Sequence, residues 1–596
     1  MSTANNRMRE PGKSGGGMGL AIAAGSVLVV LIGLYIAIRY GSQVDGINPE
    51  MDKDPSNFVA VVVDTFRGKL AWPVTGTWIM AGVGGVLLVL VVFVLVVRTA
   101  GRKNRSRADH AARFMGTERD LAPMLHKNAL KKSARLGVSG NPGVLVGRLL
   151  LGGKKLYSSF EDMMILLAGP RSGKSTSFII PAVMAAPGAV VTTSNKRDVV
   201  DATRDPRAAV GPVWVFDPQR VALEEPTWWW NPLSYVTDDT KAAKMAQHFA
   251  SGTTAPGAKT DAYFDGKGQN LLAAFLLAAA VGKRPITDVY EWLTNVSRVE
   301  PVTHLEKAGY RRLADSVSSV QQATEKQRDG IYSSAERMVA CLNNTAIERW
   351  VNPDPSPVAP RPQFDPHAFV RGRGTLYSLS KEGAGNAGPL VTALTAATIE
   401  AAEELASNSR GGRLATPLLG LLDEAANVCR WTDLPDLYSH FGSRGIPIMS
   451  VFQSYSQGVA VFGQDGMRKL WSASNVKLYA GGLSEEFVEE MSKMIGDRDR
   501  ETTSVTLNKG VRSTSSSLRR ERILGRDELE AFPRGRAVMF SSGNRPAMLR
   551  TVPWFEGDKA TVDAINASNA AHQPRTAEPD AGSSGEARPG DGPTQP

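Results

Sequence analysis

Two cysteines, Cys341 and Cys429, and seven scattered histidines are all that 596 residues hold of these types. A disulfide framework is excluded, a structural zinc site is not expected, and the bulk of the chain belongs in a reducing compartment. Charge is missing altogether from Ser14 to Ile38 and from Ala71 to Val97. Large apolar residues are nearly missing from Gly557 to Pro596, which predicts a disordered tail. A small binding module is excluded by length, since a domain takes roughly 100 to 200 residues. The net charge of +10 suits an anionic partner, nucleic acid or a lipid surface.

The first uncharged run carries Leu20, Ile22, Val27 to Ile32 and Leu34, long enough for a helix to cross a bilayer about 30 Å thick. It is too long for a signal-peptide core, and no small-residue cleavage site follows Arg39 and Tyr40. The second run is densest at Val86 to Val97, with Trp72 and Trp78 where an interfacial belt would lie. Arg7, Arg9 and Lys13 precede the first span, and Arg98, Arg102, Lys103, Arg105 and Arg107 follow the second. Positive flanks stay in the cytoplasm, so both ends are expected inside, with a short exported loop between the spans. The same rule accounts for the basic cluster after Val97 without invoking nucleic acid.

Beyond Arg98, short runs of Val, Ile and Leu alternate with helical patterns, which predicts a mainly parallel α/β sheet. The predicted strands are Met163 to Ala168, Ala189 to Thr193, Val213 to Phe216, Leu418 to Leu422, Ile448 to Phe452, Val476 to Ala480 and Ala537 to Phe540. From Tyr235 to Val351 strand-like runs disappear, and Ile331, Ala335, Met338, Val339 and Leu342 recur at helical spacing. This predicts a separate helical insertion, closed by the connector Pro353 to Pro362.

After the first cytoplasmic strand comes Gly169-Pro170-Arg171-Ser172-Gly173-Lys174-Ser175-Thr176, with a helix continuing through Phe178 to Ile180. Strand, small-residue loop and helix start make a P-loop, in which backbone N–H groups at a helix N-terminus converge on phosphate oxygens. Lys174 would reach the β and γ phosphates of ATP, and Ser175 would hold Mg²⁺ through its hydroxyl. Ala168 stands at the first glycine position of G-x-x-x-x-G-K-[ST]. A second apolar strand ends in Asp423-Glu424. Asp423 would hold Mg²⁺ and Glu424 would polarise the attacking water as general base. A third, ending in Gln453, places an amide able to sense the γ-phosphate.

These motifs, behind two membrane spans, resemble the TraG/TraD family of coupling ATPases. The resemblance rests on Gly169 to Ser175 with Ile179-Ile-Pro181, Val215-Phe-Asp-Pro218, Trp230-Asn-Pro-Leu233, Asp423-Glu-Ala-Ala-Asn427, Ser443-Arg-Gly-Ile446 and Gln453-Ser-Tyr-Ser-Gln457. It closes with Arg522-Ile-Leu524 and Phe532-Pro-Arg-Gly535. It implies a RecA-like motor domain interrupted by an all-α domain and assembly into a membrane-anchored homo-hexamer. It also implies ATP-driven movement of single-stranded DNA with its attached relaxase into a type IV secretion channel. After the second core strand the family carries an acidic residue and Lys-Gly-Glu, of which only Lys196 matches here. The family's arginine finger lies before the Gln strand, where Arg444 stands about two positions nearer the strand than usual. A solvated turn arginine accounts for Arg444 equally well.

The organisation expected is therefore α/β: a RecA-like P-loop NTPase domain with an inserted all-α domain and two N-terminal transmembrane helices in the inner membrane. Its parts are a membrane region 1–98, with spans near 18–38 and 77–97, a first motor segment 99–234, the insertion 235–352, a second motor segment 353–556 and the tail 557–596. An ATPase exporting proteins only would share every catalytic residue, and a non-hydrolysing docking receptor would show a damaged acidic pair, whereas Asp423 and Glu424 are intact. DNA contact leaves little motif when backbone and stacking carry it. Arg519, Arg520 and Arg522 enclose Glu521 and read as a solvated face, and Trp228 to Trp230 read as packing residues.

Overall fold

The computed structural model describes residues 15–49, 58–102, 106–253, 261–354, 360–381, 387–508 and 511–573. The chain divides into two compact units, residues 1–114 with 496–523, and residues 115–495 with 524–596.

In chain order the strands are β1 (Val144–Leu149), β2 (Lys155–Ser158), β3 (Met164–Leu167), β4 (Val190–Ser194), β5 (Val213–Phe216), β6 (Thr375–Leu379) and β7 (Leu419–Leu422). Then follow β8 (Ile448–Phe452), β9 (Val476–Tyr479), β10 (Asp497–Asn508), β11 (Val511–Arg522), β12 (Arg536–Ser541) and β13 (Ala547–Arg550). The larger unit is built on one sheet in the order β2-β1-β13-β12-β9-β3-β8-β7-β4-β6-β5. From β9 to β5 all neighbours are parallel, and the β12, β13, β1 and β2 edge is antiparallel.

All seven predicted strands are present, and β3, β4, β7 and β8 are buried at every residue. Burial on both faces is why β3, β7 and β8 read as nearly continuous apolar runs. Strand β6, Thr-Leu-Tyr-Ser-Leu, is equally buried but carries no such run. Two of its polar groups are bonded inside: Thr375 accepts from Arg207 at 2.8 Å, and Tyr377 pairs with Thr203 at 2.7 Å. Strands β1, β2 and β13, at the antiparallel end of the sheet, are four to six residues long and interrupted by Gly147, Arg148, Lys155, Ser158 and Arg550, below the threshold of sequence patterning.

Between β5 and β6 the described residues from Asp239 to Val351 carry helices and no strand. The longest, Ala262–Val281, starts on an Asp261 cap and buries Leu271, Leu272, Phe275 and Leu276. Ile331, Ala335, Met338, Val339 and Leu342 are all buried. Trp228 and Trp230 are buried too, Trp228 within a cluster of Trp214, Phe216, Trp350 and Phe364, so the tryptophan run is a packing element.

The tail departs from expectation. Lys559–His572 is a helix, capped by Asp558, whose Ile565 is fully buried and whose Ser568 donates to the Asp201 carbonyl at 2.5 Å. One buried isoleucine and an N-cap suffice where a helix has a surface to lie on, and composition does not report that surface. The rest of the expected tail, 574–596, lies outside the described residues.

In the smaller unit, helices span Gly15–Asp45, Phe58–Phe66 and Val74–Arg102. Val74–Val92 is long and apolar enough to cross a membrane; Trp78 and Leu88 to Val92 are exposed along it, and Trp72 is exposed just before it. The first expected span falls in Gly15–Asp45, where the side chains of 15–28 lie outside the described ones. Among the described residues one helix meets the criterion. Gly76 packs on the Ala37 carbonyl with no room for a Cβ. The long hairpin of β10 and β11 belongs to this unit and pairs with no other strand.

Candidate nucleotide-binding site

Strand β3 lies between β9 and β8, and β7 lies next to β8, all parallel. Their carboxyl ends therefore open on one side of the sheet, where open α/β sheets bind ligands. Each delivers one expected group: Lys174 after β3, Asp423 and Glu424 after β7, and Gln453 after β8.

The loop leaving β3 is held from both flanks. Ala168 donates to the Phe452 carbonyl and Gly169 to the Gly481 carbonyl, each at 3.0 Å. Ala168 is fully buried as a continuation of the strand, so its methyl group is accommodated at the position where the motif has glycine. The steric demand falls instead on Gly169, where a Cβ would collide with the Gly482 carbonyl. Arg171 and Gly173 take positive φ of 59° and 85°, which turns the chain into the helix. That helix opens with a π-type turn over Ser175–Ile179 before tightening at Ile180.

Lys174 is ion-paired with Glu424, and its Nζ lies 3.5 Å from Asp423 Oδ1. Gln453 Nε2 donates to both Glu424 oxygens, at 2.8 and 2.9 Å, and Thr193 Oγ1 donates to the Asp423 carbonyl at 2.9 Å. Glu424 sits at φ 55°, a left-handed conformation costing a non-glycine residue about 1–2 kcal/mol, of the sort that survives where surroundings dictate it. Both carboxylates are only 3 % exposed as side chains.

Burial raises the Asp423 pKa to about 6; Lys174 pulls it down in part, and Glu424 and Asp198 push it further up. For Lys174 burial opposes the charge, but Asp423 and Glu424 outweigh it and hold the ammonium above the ordinary lysine value. Asp423 Oδ1 is buried without a hydrogen-bond partner. A buried hard oxygen whose one close partner is the Lys174 ammonium suits Mg²⁺, which takes one or two protein oxygens and keeps its waters.

Arg444 is not brought to this cluster. It lies ahead of the amino end of β8, opposite the nucleotide side, where it pairs with Glu403 at 3.4 Å and donates to Ser407. Lys196 is exposed after β4. Sequence reading missed Thr193, whose hydroxyl gives no signal inside an apolar strand, and the Gly481-Gly482 turn that backs the P-loop.

Residues 417–534 match the family model described as the TraM recognition site of TraD and TraG. Protein VirD4 of Agrobacterium fabrum is 20 % identical over 351 residues, 58 % of this chain, and the chain spans about half the length of that relative. Among solved structures, the bacterial conjugative coupling protein TrwB in its trigonal form with sulphate is 16 % identical, with a TM-score of 0.51 over 71 % of this chain and 92 % of that one. TrwB in complex with the GTP analogue GDPNP matches with a TM-score of 0.50 over the same shares, and these likenesses establish the fold. The resemblance to the TraG/TraD family drawn from the motifs is borne out.

Proposed function

We propose that this chain is a membrane-anchored ATPase that couples single-stranded DNA, with its attached relaxase, to a type IV secretion channel during conjugative transfer. The observation that carries this reading is the meeting of Lys174, Asp423, Glu424 and Gln453 at the carboxyl ends of three adjacent strands.

In the structure both carboxylates are paired with Lys174. A γ-phosphate entering over Gly169 to Thr176 takes the lysine over and frees Glu424 to draw a proton from the attacking water, while Gln453 orients that water and the carboxylate. Asp423 and the Ser175 hydroxyl would hold Mg²⁺, which supplies charge neutralisation on the phosphates. Arg444 of a neighbouring subunit would serve the transition state only after leaving Glu403 and Ser407. The reading includes two membrane crossings, a homo-hexamer, contact with anionic lipid and a helical insertion, 235–352, that meets the cargo.

Lys174→Ala tests it, because the change removes a phosphate contact and little core volume. ATP turnover and transfer are expected to vanish while membrane insertion is unchanged; unchanged turnover would overturn the site.

A further inference from the structure

The hairpin of β10 and β11 is a ladder of twelve rungs, about 40 Å long at the usual rise, and forms a two-stranded sheet of its own. A lone two-stranded ribbon is marginal in water, so a partner that orders it is to be sought. Its sequence is written in hydroxyl residues, Thr502, Thr503, Ser504 and Thr506 on one strand and Ser513 to Ser517 on the other.

Register sorts its charges. The rungs Asp497↔Arg522 and Asp499↔Arg520 share one face, while Arg498↔Glu521 and Arg500↔Arg519 share the other. The first face is neutral, with Asp497 bonded to Arg520 at 3.0 Å and to Arg522 at 2.7 Å. The second has three arginines against one carboxylate. Glu521 is divided between Arg498, at 3.2 Å, and Arg500, at 3.4 Å, and Arg498 also stacks over Phe114 at 4.7 Å. Arg500 and Arg519, both exposed, are left directly opposite each other. Like charges facing across a ladder are unfavourable, and an anion bound between them removes the penalty.

We infer that this arginine face of the hairpin is a binding surface for the phosphodiester backbone of single-stranded nucleic acid, the cargo of the proposed function, on which the inference rests. Arginine and hydroxyl donors are the groups that take phosphate oxygens without reading sequence. A lipid surface fits less well, because the rungs Arg498↔Glu521 and Arg500↔Arg519 supply no apolar anchor. What reads along the chain as one mixed-charge run, Arg519 to Arg522, is split by strand alternation into a neutral face and a basic one.

The test uses the full chain in detergent, a fluorescent thymidine 30-mer and vesicles of equal phosphatidylglycerol and phosphatidylcholine. Arg500→Ala with Arg519→Ala is expected to weaken oligonucleotide binding about tenfold near 0.1 M salt. The salt slope should become shallower by about 1.4, since each single-strand phosphate contact contributes about 0.7. The paired Lys replacements should restore most of the binding. Basal ATP turnover without DNA should match wild type, which reports folding, and if wild type itself has no turnover the coupling reading fails while the binding comparison stands. Unchanged affinity and slope, or a loss confined to the vesicles, overturns the inference.

Discussion

Gln453 gives its side-chain amide to both oxygens of Glu424, at 2.8 and 2.9 Å, joining the ends of two neighbouring parallel strands. The amide thereby fixes the orientation of the carboxylate. Replacing Gln453 by Ala removes bonds to a charged group, each worth about 1.5–3 kcal/mol, so kcat should fall roughly 10- to 100-fold. Gln453→Glu should be worse, because it sets a second carboxylate against the first. Steady-state phosphate release at saturating Mg-ATP decides; equal turnover in the Ala variant would remove Gln453 from the site.

Glu424→Gln keeps the size and the strained backbone but loses the base. Turnover should fall about 10²- to 10⁴-fold, the usual contribution of a positioned base, while a fluorescent ATP analogue still binds. Loss of nucleotide binding in this variant would assign Glu424 a structural role instead.

The steric requirement in the P-loop is expected one residue later than the motif places it. Gly169→Ala drives a Cβ into the Gly482 carbonyl, whereas Ala168→Gly only removes a methyl from a strand end. The first should abolish nucleotide binding and the second should leave it within about threefold, because a buried methyl adjusts stability by only about 1 kcal/mol. Equilibrium binding of the analogue separates the two, and the reverse order would refute the geometry.

His248 is buried edge-on to Trp431 with neither ring nitrogen bonded. Burial drives its pKa down from 6.5 to about 4; Glu400 opposes the shift, and Lys244 and Lys241 add to it. The unfolded chain takes up the proton below about 6.5 and the folded one does not, so stability is full above that pH and is lost as pH falls toward 4. The loss is on the order of 3 kcal/mol. Hydrogen exchange of the Asp239–Thr253 helix from pH 7 to 4.5 should show it, and His248→Phe should flatten the dependence.

Asp423, Glu424 and Gln453 were legible in the sequence because they end apolar runs, which report burial on both faces of a strand, and Lys174 because it closes a small-residue loop that follows one. Strand β6 was not, because its buried Thr375 and Tyr377 satisfy their polar groups through Arg207 and Thr203, partners far away in the chain. The helix Lys559–His572 escaped for the same reason: the surface that receives Ile565 is supplied by residues more than 300 positions earlier.

The order of residues along the chain determined which groups sit at strand ends, where a helix begins after a glycine loop, and where charge is absent long enough for a bilayer. Tertiary structure alone decided that β3, β8 and β7 are neighbours, that Gly169 and not Ala168 meets a carbonyl, that Arg444 points away from the cluster, and that Arg519 and Arg520 face opposite sides of a ribbon. Local periodicity records how each segment is buried, whereas adjacency arises from hydrogen bonds and packing between segments hundreds of residues apart.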